Sequence, residues 1–296
     1  MQHPWRRIAV ALASSLQLCA ALAGGARAPD GGRWSIPQAL ERHAAHSAFD
    51  LPGLSPTELA TLDAGESVVV TRDEASGEIS RMQVVGLQVV DAPRLLVWLS
   101  VLGGNTEPQQ RLTRAMLARM PAGTYVRYQH IDLPWPIQDR HWVILCEKNV
   151  ALAAASGGLI WEHHWSLHED GKRILETAYR DGRVVGLTRR ELDESIYLPA
   201  NHGAWTLFEL GAGRTLVVAH VNVELGGAYP NGLVRAFAKR QLREGFGELK
   251  DLSARVHHTY AEQPVIYDGF GMPIARQDAL EAALRRTDLP ALARAD

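Results

Sequence analysis

Histidine is the residue type in this sequence with the greatest capacity for chemistry, because the chain of 296 residues contains 12 histidines. A strand-like run places His163, His164 and His168 close together, directly after Glu162. Imidazole and carboxylate groups at such spacing can ligate a metal ion or move a proton. The question is whether the elements around them bring these groups to one point.

The spacing argues against a metal site. His163 and His164 are neighbours on a predicted β-strand, so they point to opposite faces and cannot share one ion without distortion. His130 and His141 lie on candidate neighbouring strands, but the sequence has no H-E-x-x-H pattern. We therefore predict neither a metal site nor a cofactor.

Nucleophilic catalysis has little support in the sequence. There is no G-x-S-x-G, G-x-G-x-x-G or phosphate-loop pattern, and the chain has only two cysteines, Cys19 and Cys146. No histidine can be placed beside Cys146, which lies in the strand-like run HWVILCEKNV and is expected to be buried. We predict no catalytic residue.

Alternation along two predicted strands defines one apolar face. In residues 159–167 the odd positions include Trp161, His163 and Trp165, and in residues 215–223 they include Val217 and Ala219. We predict that this face is concave and lines a cavity. The even positions of the second strand, among them His220, Asn222 and Glu224, are expected to face water.

His163 is then a polar group between two tryptophans on an apolar face. Its imidazole either orients a hydroxyl or headgroup of a bound molecule or bonds a neighbouring strand as a core histidine. The sequence leaves both interpretations open.

The order of elements predicts the α+β class, with an antiparallel sheet and helices segregated to one face. Helices are predicted at 35–47, 92–102 and 108–120, and a long one after Pro230. Gly245 and Gly247 interrupt that last helix, which suggests close packing, a bend, a gate or simple tolerance. Strands are predicted at 66–72, 79–90, 124–133, 141–150, 159–167, 189–198, 204–210 and 214–224.

Two segments carry a resemblance to a known family. Residues 133–143, LPWPIQDRHWV, resemble the LPWP-x-x-DRD-F-V motif of StAR-related lipid-transfer (START) domains. Residues 203–233, GAWTLFELGAGRTLVVAHVNVELGGAYPNGL, are similar to that family's later strands, GG-x-x-P turn and final helix opening. His141 replaces the second Asp of DRD, and the Trp-Asp that often follows the first internal helix is missing. The motif residues are Pro134, Trp135, Pro136, Asp139, Arg140, Gly203, Trp205, Gly226, Gly227 and Pro230.

The resemblance covers roughly residues 66–260 and implies a helix-grip fold of the Bet v 1-like superfamily. In that fold a curved antiparallel sheet wraps around a long C-terminal helix and encloses a hydrophobic cavity. We expect a structural role for the Asp139–Arg140 pair, with Asp139 capping a turn and Arg140 making a charge-assisted bond. Direct contact with a ligand is the alternative for this pair.

The function that follows is binding of one hydrophobic small molecule, a lipid such as a sterol, hopanoid or phospholipid, and its transfer or buffering. The alternatives are a cyclase/aromatase-type enzyme acting on a polyketide or steroid-like substrate, and a scaffold with a vestigial cavity. Entry of the ligand would require movement of the last helix and of a loop, predicted at residues 169–187, which are rich in charge and glycine. The predicted cavity residues are Trp161, His163, Trp165, Val217, Ala219, Val234, Phe237, Ala238 and Gln241.

Residues 1–28 read as a secretory signal peptide, with a basic start, an apolar stretch and small residues at Ala26 and Ala28. Because this segment has three arginines and no acidic residue, cleavage after Ala28 would shift the net charge from −2 to −5. It would also remove Cys19. We expect an exported, periplasmic or secreted protein with an N-terminal helix and linker at 29–65, one domain at 66–262, and a tail at 263–296 in which 276–286 has a helical pattern.

The charge balance, 31 Lys+Arg against 33 Asp+Glu, argues against a nucleic-acid partner. We expect a monomer whose partners are the hydrophobic ligand and, transiently, a membrane surface. Basic residues in two predicted helices either form a face for anionic headgroups or are ordinary solvated surface. They are Arg111, Arg114, Arg119, Arg235, Lys239, Arg240 and Arg243.

Overall fold

The computed structural model describes residues 34–76, 79–103, 112–133, 137–211, 213–226, 231–259 and 265–275. The predicted signal segment, the tail helix at 276–286 and five motif residues lie outside these ranges. Those five residues are Pro134, Trp135, Pro136, Gly227 and Pro230.

One large sheet organises the described chain. Its strands run in the order β1-β2-β9-β8-β6-β5-β4-β3, all antiparallel, with short β7 pairing β5 in parallel. A hairpin of β10 and β11 forms a second, two-stranded sheet. The strands are β1 Val68–Ser76, β2 Ile79–Val90, β3 Leu112–Arg119, β4 Tyr125–Ile131, β5 Arg140–Lys148, β6 Ile160–Leu167, β7 Ile196–Tyr197, β8 Ala200–Gly211, β9 Arg214–Glu224, β10 Val265–Tyr267 and β11 Pro273–Ala275.

Helices flank this sheet on both sides. They are α1 Ile36–Ala44, α2 Pro56–Asp63, α3 Arg94–Gly103, α4 Val150–Ala155, α5 Gly171–Arg180, α6 Arg189–Glu194 and α7 Asn231–Thr259, with a short 3-10 turn at Pro121–Gly123. The predicted α+β class is confirmed. Among the helices described, none combines the length and the apolar character needed to cross a bilayer.

The long helix α7 and helix α3 cover one face of the sheet. Phe246 and Leu249 of α7 are buried together with Val217 and Ala219 of β9 and Trp98 of α3. Phe246 approaches the sheet at Gly86 in β2, where a Cβ would lie 2.7 Å from its ring. A curved antiparallel sheet that wraps around a long C-terminal helix is the helix-grip fold that the resemblance implied.

The opposite face of the sheet is also covered, which corrects the expectation that His220 and Asn222 face water. Both are buried, with 3% and 7% of their surface exposed. Helices α1 and α2 lie over this part of the sheet and bury Leu216 and Val218 of β9. A strand that is covered on both faces does not need the simple alternation that was expected. Helices α5 and α6 cover the same side of β3 to β5, where they pack through another group of buried apolar side chains.

Two local predictions are wrong, for different reasons. Residues 108–120 were expected to be a helix, but Leu112–Arg119 is the edge strand β3, because pairing with β4 outweighs the helical spacing of its apolar residues. Residues 189–198 were expected to be a strand, but Arg189–Glu194 is helix α6. Thr188 and Glu191 form a capping box that starts it, and the strand is reduced to β7. The loop expected at 169–187 is likewise corrected, because Gly171–Arg180 forms helix α5.

Candidate functional site

A cavity of about 310 Å³ lies between the sheet and helices α3 and α7. Its volume is at the lower end of the range for small-molecule sites. Gln241 and Glu248 of α7 are exposed and mark its mouth, whereas Cys146 and His163 are buried at its inner end. The residues that line it are Ser100, Val101, Arg114, Arg127, Gln129, Ile144, Cys146, His163, Trp165, Trp205, Val221, Gln241, Gly245, Glu248 and Leu249.

Strand register explains why these side chains meet. Arg114 of β3 lies opposite Gln129 of β4, and Arg127 of β4 lies opposite Ile144 of β5. Cys146 lies opposite Trp165 of β6. Because side chains alternate across a strand, residues in such pairs share one face of the sheet. The inner face of the sheet therefore lines the cavity, with side chains contributed by neighbouring strands.

Two indole rings form the apolar wall of the cavity. The ring of Trp165 lies over Gly203 of β8, where a Cβ would be 2.5 Å from it, so that glycine makes room for the ring. Its Nε1 donates a hydrogen bond to Oδ1 of Asn201 at 2.9 Å. Trp205 meets Phe246 edge to face, with the ring centroids 6.1 Å apart. Both rings are fixed by these contacts and present apolar surface to the cavity.

Polar groups at the inner end form a directed chain of hydrogen bonds. Nδ1 of His163 lies 3.1 Å from the carbonyl oxygen of Glu147, so this nitrogen carries the proton and donates it. The other nitrogen, Nε2, then accepts a hydrogen bond from the Tyr125 hydroxyl at 3.0 Å. Arg127 donates through Nη2 to the oxygen of the same hydroxyl. The proton positions follow from this network.

The titratable groups at the inner end are mainly neutral at neutral pH. Burial lowers the pKa of His163 well below its ordinary value, and nearby Lys148 and Arg127 act in the same direction. Burial raises the pKa of Tyr125 and that of the Cys146 thiol. The predicted burial of Cys146 is confirmed, since 1% of its surface is exposed.

The guanidinium groups keep their charge. Burial and the charge of Arg127 lower the pKa of Arg114 to about 10, and the carboxylate of Glu248 acts in the opposite direction. A group with this pKa is still protonated at neutral pH. The cavity therefore holds two cationic groups among both polar and apolar side chains.

Four residues of the predicted ligand-binding and motif sets line the cavity: His163, Trp165 and Gln241 from the ligand-binding set, and Trp205 from the motif set. Trp161, Val217, Ala219 and Ala238 are not among the residues that line it. Val234 and Phe237 belong to α7, and the structure describes only their helical backbone.

Trp161 is held in the core instead of the cavity. Its ring meets Trp98 edge to face at 5.4 Å, and the guanidinium of Arg94 lies 3.9 Å above it. Val217 and Ala219 are fully buried in the same cluster under α7. They lie on the predicted inner face, but helix packing covers them.

Arg114, Arg127, Gln129 and Cys146 were missed as cavity residues. Arg114 was assigned to a helix surface that could approach a membrane, but β3 turns it into the cavity, so that interpretation of Arg114 is wrong. In β4 the alternation of Arg127 and Gln129 with the buried Val126 and Tyr128 was a readable signal. Strand pairing was needed to show which face was inner.

The Asp139–Arg140 pair lies at the start of β5 and outside the cavity lining. Oδ1 of Asp139 accepts a hydrogen bond from the backbone N–H of Leu133 at 2.8 Å. Arg140 is fully buried, and its Nε and Nη2 donate to the carbonyls of Leu225 and Gly226 at 2.6 and 2.9 Å. The pair joins the start of β5 to the end of β9.

The neighbouring histidines His163 and His164 do not converge on one point. His163 faces the cavity, and His164 points away toward Glu147, with 3.7 Å between Nε2 and Oε2. A separate group of His130, Asp132 and Asp139 brings ligand atoms within 4.8 Å of one another. His130 bonds Ser195 at 2.9 Å, and Asp139 already caps a turn, so this group has structural roles.

No known family model matches the sequence, and no curated protein matches it. Solved structures of similar fold include human STARD10, at 10% identity and a TM-score of 0.47, covering 81% of this chain and 88% of that one. A STAR-related lipid transfer protein from Xanthomonas axonopodis has 17% identity and a TM-score of 0.41, with 64% and 99% covered. The Zhui aromatase/cyclase from Streptomyces sp. R1128 has 16% identity and a TM-score of 0.39, with 62% and 99% covered. At these values the similarity carries no inference about ligand or activity.

Proposed function

We propose that this protein binds one hydrophobic small molecule of the lipid class in the cavity under α7 and transfers or buffers it. The observation that carries the proposal is the cavity itself, in which Trp165, Trp205 and Val221 form an apolar wall and polar side chains form the rest of the lining. An apolar wall of this kind binds the apolar part of a ligand, and the polar groups fix its orientation. Burial of about 200 Å² of apolar ligand surface contributes about 5 kcal/mol before the costs of binding.

The geometry favours binding over catalysis. A general base needs a free lone pair within reach of the substrate proton. Both ring nitrogens of His163 are already engaged, one by Glu147 and the other by Tyr125. Burial also raises the pKa values of Tyr125 and Cys146, which keeps them protonated and weakens both as nucleophiles.

The cavity volume of about 310 Å³ favours a compact ligand or a single acyl chain over a two-chain phospholipid. Export to the periplasm, a monomeric state and transient contact with a membrane surface remain part of this proposal. Export depends on the signal-like segment 1–28, which makes its cleavage the testable step.

Native mass spectrometry of the full chain purified from a periplasmic fraction, followed by organic extraction, tests the proposal. We expect a bound molecule that is recovered unchanged, on a chain that starts at residue 29. A ligand that returns chemically altered after incubation with fresh protein would favour the cyclase-type alternative. Empty protein that also fails to bind both dodecanol and dodecanoate would overturn the binding proposal.

Helix α7 offers a matched pair of variants for the same experiment. A Cβ at Gly245 or at Gly247 meets no atom within 4 Å, but only Gly245 lines the cavity. We expect Gly245→Leu to reduce dodecanol binding at least tenfold, because its side chain would occupy the cavity. The control Gly247→Leu should bind as the unaltered protein does. Equal affinities for the two variants would show that the ligand lies elsewhere.

A further inference from the structure

Two arginines on neighbouring strands project into the same cavity. Arg114 of β3 faces Gln129 of β4, and Arg127 lies two residues before Gln129 on the same face. Diagonal neighbours across such a strand pair lie about 7–8 Å apart, within reach of long side chains. The charge of Arg127 lowers the pKa of Arg114, as expected for two cations that share one cavity.

Negative charge in the cavity does not match this positive charge. Among the described residues that line it, Glu248 is the one carboxylate, and it lies at the exposed mouth, where it acts on Arg114. The groups around Arg127 are Tyr125 and Cys146, which are protonated at neutral pH. Lys148 adds a further nearby cation that donates to the carbonyl of Gly123 at 2.9 Å.

Arg127 has unused hydrogen-bonding capacity. Its Nε is buried and has no hydrogen-bond partner within the part of the chain that the structure describes. A buried cation without a counter-charge is costly, and an anion placed beside it removes that cost. The feature therefore points to an anionic group that occupies the cavity when the ligand is bound.

We propose that the cavity takes a single-chain amphiphile whose anionic head, a carboxylate or a phosphate monoester, is bound by Arg127 and Arg114. The apolar chain then lies against Trp165, Trp205 and Val221. This inference rests on the proposed function and names the ligand class of the same site.

The arrangement suits recognition of an oxyanion. Guanidinium groups present paired N–H donors that match carboxylate and phosphate oxygens. Arg127 is held in place by its hydrogen bond to Tyr125 and by its position over the Tyr125 ring, 4.9 Å from the centroid. Tyr125 is fixed in turn by His163. A donor that is already oriented loses little entropy on binding.

Four probes with one tail and different heads test the inference: dodecanoate, dodecyl phosphate, dodecanol and dodecyltrimethylammonium. Binding to the full chain is followed by calorimetry and by quenching of tryptophan fluorescence. We expect both anions to bind at least tenfold more tightly than dodecanol, and the cation to bind most weakly. The ratio of the affinities for the two anions shows whether the site prefers a carboxylate head or a phosphate head.

Arg127→Met is the decisive variant, because it removes the cation and keeps the apolar length of the side chain. We expect it to reduce dodecanoate affinity at least tenfold and to leave dodecanol affinity within about twofold, which also shows that the protein is folded. Arg119→Met is the matched control. Arg119 lies in the edge strand β3, is exposed and does not line the cavity. It should change neither affinity.

The outcomes separate the two proposals. Dodecanol binding as tight as dodecanoate binding, or equal losses of both in Arg127→Met, overturns the anionic-ligand inference and leaves the binding proposal intact. Failure of all four probes overturns the binding proposal, and the inference falls with it. Arg127→Lys keeps the charge but not the paired N–H donors. An intermediate dodecanoate affinity of this variant supports recognition of the anionic head by paired donors.

Discussion

At the scale of single residues, His163 shows how a sequence alternative is decided by contacts. The sequence allowed a ligand-orienting histidine or a core histidine bonded to a neighbouring strand. The structure places its ring against the cavity, yet both of its nitrogens are used inside the protein, by Glu147 and Tyr125. In the proposed binding site its role is therefore indirect, because it positions Tyr125 and through it Arg127.

This arrangement predicts that His163→Phe destabilises the fold. The variant leaves the Glu147 carbonyl and the Tyr125 hydroxyl without their partner in a buried site. We expect the free energy of unfolding to fall by about 1–3 kcal/mol, measured by urea denaturation. The control His164→Asn, at a half-exposed position on the other face, should change it by less than about 1 kcal/mol. An unchanged midpoint for His163→Phe would contradict the hydrogen-bond chain.

At the scale of elements, a buried carboxylate holds the N-terminal helix to the sheet. Oε2 of Glu162 in β6 accepts hydrogen bonds from His43 of α1 at 2.8 Å and from Ser47 at 2.8 Å. Thr206 and Asn149 supply two more donors at 2.9 and 2.8 Å. Burial by itself raises the pKa of Glu162, but hydrogen bonds from His43, Asn149 and Ser47 outweigh it, so the pKa lies below its usual value.

We expect Glu162→Ala to lower the free energy of unfolding by about 3–5 kcal/mol, because it leaves buried donors without their acceptor. Loss of the anchor should also speed hydrogen exchange in α1 before it does so in the central strands. Glu169→Ala, at an exposed position, is the control and should leave both readouts unchanged. Normal protection of α1 in the Glu162 variant would show that apolar packing alone holds the helix.

At the scale of the whole molecule, buried histidines link stability to pH. Burial lowers the pKa of His141 and that of His220 to about 4, and lowers the pKa of His163 well below its ordinary value. His220 accepts a hydrogen bond from the Gln83 amide at 3.0 Å, which requires a neutral ring. The folded protein therefore binds fewer protons than the unfolded chain in the mildly acidic range.

The sign of the effect follows from this difference. Unfolded histidines gain a proton as the pH falls below about 6.5, while the folded ones stay neutral to about pH 4. Stability should fall through this window and be fully present above it. We expect the urea midpoint to decrease steadily from pH 7 to pH 4.5.

The variant His220→Gln checks the assignment, because it removes one of the linked groups. Its midpoint should depend less steeply on pH than that of the unaltered protein. If the urea midpoint depends equally steeply on pH in both proteins, His220 is excluded as a contributor. A midpoint of the unaltered protein that does not change with pH would contradict the neutral, buried state of all three histidines.

The sequence by itself determined the α+β class, most strands, the long final helix and the inner face of β6 and β9. Alternation and turn residues are local properties, so they can be read without knowing the neighbours of a strand. The cavity residues His163 and Trp165 follow from the same alternation, and the burial of Cys146 follows from its place in a strand-like run. The helix at 189–194 was also readable, since Thr188 and Glu191 form a capping box.

Only the tertiary structure decided the character of the site. Arg114 belongs to a segment whose apolar spacing suits a helix, and pairing with β4 is what makes it a strand and turns the guanidinium inward. Helices α1 and α2 cover the sheet and bury His220 and Asn222, although alternation alone predicted that both face water. Packing of α7 covers Val217 and Ala219 and leaves the space over β3 to β6 open. These outcomes depend on contacts between residues far apart in the chain, and such contacts leave no local pattern.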